Sequence, residues 1–122
     1  MTNEERAELA LAVGRRVRPD EWRFKLRDGK VLAGTYIPDH NGDMSWCYVD
    51  TYDPTVPGAD SAEALRWLWQ RSDSVTLDRW ARVVRCEAEG SASRKCHYGL
   101  GDTPEVAVCR AIEAWPKDAD DA

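Results

Sequence analysis

Four cysteines and two histidines are the residues of this 122-residue chain best suited to covalent or metal chemistry. Cys96 and His97 are adjacent, with Cys86 and Cys47 upstream. A structural zinc site is usually built from paired ligands such as Cys-x-x-Cys. The chain has no such pair, and neighbours on one strand point to opposite faces. A cysteine nucleophile with His40 or His97 as its base has the right residue types but no spacing that joins them. Cys47, Cys86, Cys96 and Cys109 all lie in segments rich in apolar neighbours, so they read as reduced core thiols. The carboxylate pairs Asp39/Asp43 and Asp50/Asp53 flank turns, where Asp is favoured for local hydrogen bonding. Asp39-His40-Asn41-Gly42-Asp43 lacks the repeated ligands and closing Glu of a calcium loop. Glycine-rich nucleotide fingerprints and the Gly-x-Ser-x-Gly elbow are absent. These features predict a non-enzymatic protein with no catalytic residues, no metal and no cofactor.

Binding chemistry is better represented. The formal net charge is -5, but its distribution is uneven. Seven basic residues, Arg15, Arg16, Arg18, Arg23, Lys25, Arg27 and Lys30, crowd one stretch, and Val31 to Leu65 holds no Lys or Arg. That second stretch carries Asp50, Asp53, Asp60 and Glu63 beside Trp46, Tyr48 and Tyr52. Aromatic rings beside uncompensated carboxylates supply contact area and steer towards a basic partner. Asp50, Tyr52, Asp53 and Asp60, with Trp67 as a second anchor, are the expected partner-binding set. The alternative is nucleic acid held by Arg16, Arg18, Arg23, Lys25 and Arg27. Against it, an aromatic reading sheet needs exposed rings, and Trp22 and Phe24 alternate with the basic residues and so face the other way.

The elements that position these residues are legible from period and punctuation. Asn3 to Val17 reads as a helix, with Glu4 and Glu5 at its positive end and Pro19 as its stop. Trp22, Phe24 and Leu26 alternate with Arg23, Lys25 and Arg27 as in a half-buried strand. Asp28-Gly29 is a hairpin turn into Val31 to Ile37, and Asn41-Gly42 leads into Met44 to Val49, a three-strand meander. Trp46 and Tyr48 fall on one face of the third strand, Cys47 and Val49 on the other. Asp50 to Ala59 reads as a loop. Asp60-Ser61-Ala62-Glu63 opens a helix running to about Arg71, with Ala64, Leu65, Leu68 and Trp69 on its core face and Trp67 on its flank. A strand pair, Arg79 to Glu87 and Lys95 to Leu100, turns at Glu89 to Ser93. Asp102-Thr103-Pro104-Glu105 then caps a last helix carrying Val108, Ala111, Ile112 and Trp115.

The expected fold is therefore α+β, an antiparallel sheet flanked by helices in the order α-β-β-β-α-β-β-α. One domain over 1–116 and an acidic tail over 117–122 follow from length and composition. The halves share an outline that admits an internal ββα duplication. Met1 to Glu8 is acidic and polar, and no apolar run approaches the roughly eighteen residues that cross a bilayer. A cytoplasmic protein without membrane contact is expected.

The second half, from Trp80 through Cys96-His97-Tyr98-Gly99 to Asp102-Thr103-Pro104-Glu105-Val106-Ala107-Val108-Cys109-Arg110-Ala111, resembles the phage ABA sandwich domain, a small family of temperate phages and prophages. The cue is a Trp-led strand, a polar hairpin and a Thr-Pro-x-x-Ala-x-Cys-x-Ala type of closing helix. The resemblance implies a helix-flanked antiparallel sheet, origin in a mobile element and no assigned activity. It further implies an accessory protein that binds and modulates a host protein in the host cytoplasm, inhibition of a defence system being one form of this.

Overall fold

The computed structural model describes residues 1–18, 22–90 and 96–116. Among these residues the order is α1 (Asn3–Val17), β1 (Arg23–Arg27), β2 (Lys30–Pro38), β3 (Met44–Thr51), α2 (Ala59–Arg71), β4 (Ser74–Trp80), β5 (Val83–Glu89), β6 (Cys96–Gly101) and α3 (Pro104–Ala114). The class is α+β with antiparallel pairing throughout. The strands form two three-stranded meanders, β1-β2-β3 and β4-β5-β6. Where one domain was expected, the chain gathers into two compact units, Met1–Asp53 and Pro54–Ala122, each built on its own sheet. The order α-β-β-β occurs in both, with α3 added to the second. The recurring outline is thus helix-first, not the ββα anticipated. The acidic tail, the strand start at Lys95, the turn at 91–93 and the helix-stopping Pro19 lie outside the described residues. No described helix is long and apolar enough to cross a membrane.

In the first unit, α1 begins with a reciprocal cap. The Glu5 N–H donates to Thr2 Oγ1 at 3.1 Å, and the Thr2 N–H donates to the Glu5 carboxylate at 3.3 Å. Ala7 and Ala10 of the helix pack with Phe24, Val31, Ala33 and Tyr52 on the inner face of the sheet. Arg27 pairs directly with Lys30 across a two-residue turn, with Asp28 at φ 53° and Gly29 at φ 74°. Both central residues are left-handed, as the twist of a tight hairpin demands.

Between β2 and β3 the register slips. Gly34 faces Tyr48, but Ala33 faces Asp50, which leaves Val49 as the extra residue of a β-bulge. Side chains alternate every residue along a strand, so one inserted residue exchanges the two faces beyond it. Trp46 and Tyr48 share the outer face with Tyr36 and Gly34, whereas Tyr52, past the bulge, bonds its N–H to the Val31 carbonyl at 2.8 Å and turns inward.

In the second unit, the strand expected over 79–87 is two strands. Trp80 pairs with Val83 across a turn whose Ala81 has φ 55°. A left-handed alanine costs on the order of 1–2 kcal/mol, which the seven paired positions of β4 and β5 offset. With neither Gly nor Asn at the corner, the turn leaves no compositional mark. Helix α2 starts at Ala59, before the anticipated Asp60, because the Ser61 hydroxyl bonds both the N–H and the carbonyl of Gly58. Thr103 caps α3, accepting from the Val106 N–H at 3.2 Å, with Pro104 behind it as expected.

Helix α3 lies directly on β6. A Cβ built on Gly99 would sit 2.3 Å from the Ala111 nitrogen and 2.5 Å from the Ala107 carbonyl oxygen. These are backbone atoms of the helix, which cannot rotate aside. Gly99→Val is therefore expected to lose about 1–3 kcal/mol through overpacking, read as a lower urea midpoint at unchanged m-value.

Candidate nucleic-acid interface

The outer face of the first sheet brings together cations of β1 and rings of β2 and β3. Arg23 and Lys25 are exposed on it. The Arg23 guanidinium lies 4.1 Å from the centroid of the Trp46 ring, and the Lys25 ammonium 4.3 Å from that of Tyr48. Tyr36 meets Trp46 edge to face at 4.9 Å. Tyr36 and Tyr48 keep 48 % and 38 % of their surface exposed. Gly34 makes this possible, because a Cβ there would stand 2.8 Å from the Tyr48 ring. Without a side chain at position 34, the tyrosine lies across β2 and reaches the cation on β1.

This arrangement revises the expectation that rings and cations face apart. Phe24 is indeed buried on the inner face and Trp22 is half-buried. The rings beside the basic residues come from the neighbouring strands. Their signal was present in the turn lengths: the two-residue turn at Asp28-Gly29 fixes Arg23 opposite Gly34, and Gly34 in turn faces Tyr48. Among the described residues, Arg23, Lys25 and Arg27 carry no ion pair with a carboxylate. The outer face of the second sheet differs. It exposes Trp80, Val83, Tyr98 and Leu100, but its Arg85 already contacts Asp78 at 3.6 Å and Glu87 at 3.4 Å.

Where α1 ends and β1 begins, Arg15, Arg18, Trp22, Arg23, Phe24 and Tyr48 line a cavity of about 320 Å³. The Arg18 guanidinium stands 4.5 Å from the Trp22 ring centroid and 5.2 Å from that of Tyr52, so two rings set its orientation. Arg16, in the last turn of α1, is half-buried and does not line the cavity. Arg27 is exposed at the far end of β1.

The acidic partner-binding set fares differently. Tyr52 is 2 % exposed, its ring 5.1 Å from Phe24; the bulge that turns it inward makes it core. Trp67 is 5 % exposed because the buried stripe of α2 is Ala64, Trp67 and Leu68, while Leu65 and Trp69, assigned to the core by sequence, lie outside. The Arg71 guanidinium covers the Trp67 ring at 4.2 Å. Asp50 is exposed, and Asp53 and Asp60 are half-buried. The carboxylates thus lose both rings that were to anchor a partner beside them. Asp39 behaves as a turn residue, one carboxylate oxygen accepting from the N–H groups of Asn41 and Asp43 at 2.8 and 3.0 Å.

All four cysteines are free. Cys86 and Cys109 are buried as expected; Cys47 and Cys96 are exposed instead, Cys96 because it points to the outer face at the first position of β6. Cys96 pairs with Glu89 on the outer face and His97 with Ala88 on the inner one, where its ring meets Trp115 at 5.0 Å. The two side chains therefore diverge. Burial pushes the Cys86 thiol up to about 11. A hydrogen bond to the Glu87 carboxylate, followed by desolvation and then by the charges of Glu87 and Glu89, raises Cys96 as well. No group of three potential metal ligands occurs among the described residues. No family model matches the chain, nor does any curated protein or solved structure.

A raised pKa keeps Cys96 protonated at neutral pH, and the thiolate is the nucleophile. Alkylation of Cys96 by iodoacetamide should lag behind that of an unstructured peptide thiol and should rise only at higher pH. Glu87→Gln should move the profile back towards neutrality, as read by mass spectrometry of the labelled peptide across pH.

Proposed function

We propose that the outer face of the first sheet binds single-stranded nucleic acid without turnover. The observation that carries this reading is the interleaving of rings with cations that have no carboxylate partner among the described residues: Arg23 over Trp46, Lys25 over Tyr48, and Tyr36 against Trp46. Bases of any sequence present a flat π surface to tyrosine, tryptophan or a guanidinium plane, while ammonium and guanidinium groups meet the phosphates. Arg23, Lys25 and Arg27 recur at every second residue of one extended strand, about 7 Å apart, a linear array suited to a linear polyanion. Stacking on these rings requires an unpaired base, which a single strand offers and a duplex withholds inside its stack. The net charge of -5 confines attraction to this face, so affinity should be modest and fall steeply with salt.

The reading in which an acidic loop captures a basic host protein is the weaker one, since Tyr52 and Trp67 are core residues. Asp50 remains exposed and gives that reading its own test.

Fluorescence anisotropy with a labelled ten-nucleotide single strand and its duplex decides between them. The single strand should bind more tightly. Lys25→Gln should lower the dependence of log K on log salt by about 0.7. Trp46→Ala should cost about 1–3 kcal/mol by loss of stacking. Asp50→Asn should leave binding unchanged. Preference for the duplex, or indifference to Lys25→Gln and Trp46→Ala together, would refute the assignment.

A further inference from the structure

The cavity beside this face is lined by three guanidinium-bearing residues, Arg15, Arg18 and Arg23, and by three rings, Trp22, Phe24 and Tyr48. Arginine forks match the oxygens of a phosphate, and a monoester offers more oxygens and more charge than a bridging diester. Phe24 is buried and Trp22 already faces Arg18, so the exposed ring of Tyr48 is the one placed to meet a planar group. At about 320 Å³, the space is at the lower end of the roughly 300–1,000 Å³ typical of small-ligand sites, enough for one nucleotide and no more. Arg18, held between Trp22 and Tyr52, is oriented before any ligand arrives, which lowers the entropy lost on binding. Arg23 belongs both to this lining and to the open face, where it stands over Trp46. A strand lying along β1 would thus reach the cavity at the start of that strand.

Resting on the proposed single-strand binding, we infer that this cavity is a subsite for a phosphate monoester joined to a nucleoside. Its source is either the phosphorylated end of a bound strand or a free nucleoside monophosphate.

Anisotropy of ten-nucleotide strands bearing a 5′-hydroxyl, a 5′-phosphate or a 3′-phosphate separates this inference from the reading on which it rests. One phosphorylated end should bind about tenfold more tightly than the unphosphorylated strand, the gain expected of a charge-assisted pair. Arg15→Gln should collapse that ratio to about one; Arg15 is exposed in the last turn of α1, so far-UV circular dichroism should be unchanged. Equal affinity for all three ends, or a ratio untouched by Arg15→Gln, would overturn the subsite while leaving single-strand binding intact. Titration with adenosine monophosphate and with adenosine identifies the source. Binding of the monophosphate but of no oligonucleotide would support the subsite, name the free nucleotide and sink the proposed function. Tighter binding of a phosphotyrosine peptide than of any nucleotide would overturn the inference in favour of a protein ligand.

Discussion

The β-bulge at Val49 decides what each face of the first sheet contains. Before it, β3 sends Trp46 and Tyr48 outward beside the cations of β1; after it, the same strand sends Tyr52 into the core beneath α1. An unbroken alternation from Trp46 would have placed Tyr52 outside and left Phe24 without its partner at 5.1 Å. One inserted residue therefore supplies both the ring that closes the small core of Met1–Asp53 and the rings that stay open. A β-bulge commonly serves to re-aim a side chain in this way.

Cation–π contact is the second organising interaction. On the open face it holds Arg23 and Lys25 over rings without neutralising them. Such contacts contribute roughly 0.5–1 kcal/mol at exposed sites, and they limit the rotamers of long side chains whose disorder would otherwise oppose binding. On the second sheet the corresponding cation, Arg85, is drawn instead to Asp78 and Glu87. The two sheets share a meander topology and differ in what is left unsatisfied on the surface.

Much of the backbone was legible in the sequence because its signals are local. The Thr103-Pro104 cap, the Asp28-Gly29 and Asn41-Gly42 turns and the alternation of β1 each act within a few residues. What escaped was set by partners distant in sequence or by turns without a marker. Ala81 occupies a left-handed corner that composition does not advertise, so β4 merged with β5. Trp67, not Trp69, is buried because tertiary packing selects among the apolar positions of α2. The basic half of the open face was visible in the spacing of Arg23, Lys25 and Arg27. Its aromatic half required the register across Gly34, and the displacement of Tyr52 required a bulge that no residue type announces.

Strand β1 is both the most cationic strand of its sheet and an edge of it. An unpaired edge offers its amide and carbonyl groups to any other chain that approaches, which is the usual route to aggregation. Here a second copy coming alongside meets Arg23, Lys25 and Arg27 on its own strand as well, and like charge holds the two apart. The guard lasts only while those charges are bare: a polyanion laid along β1 neutralises both edges at once, so the loading of one strand would favour neighbouring copies drawing together along it.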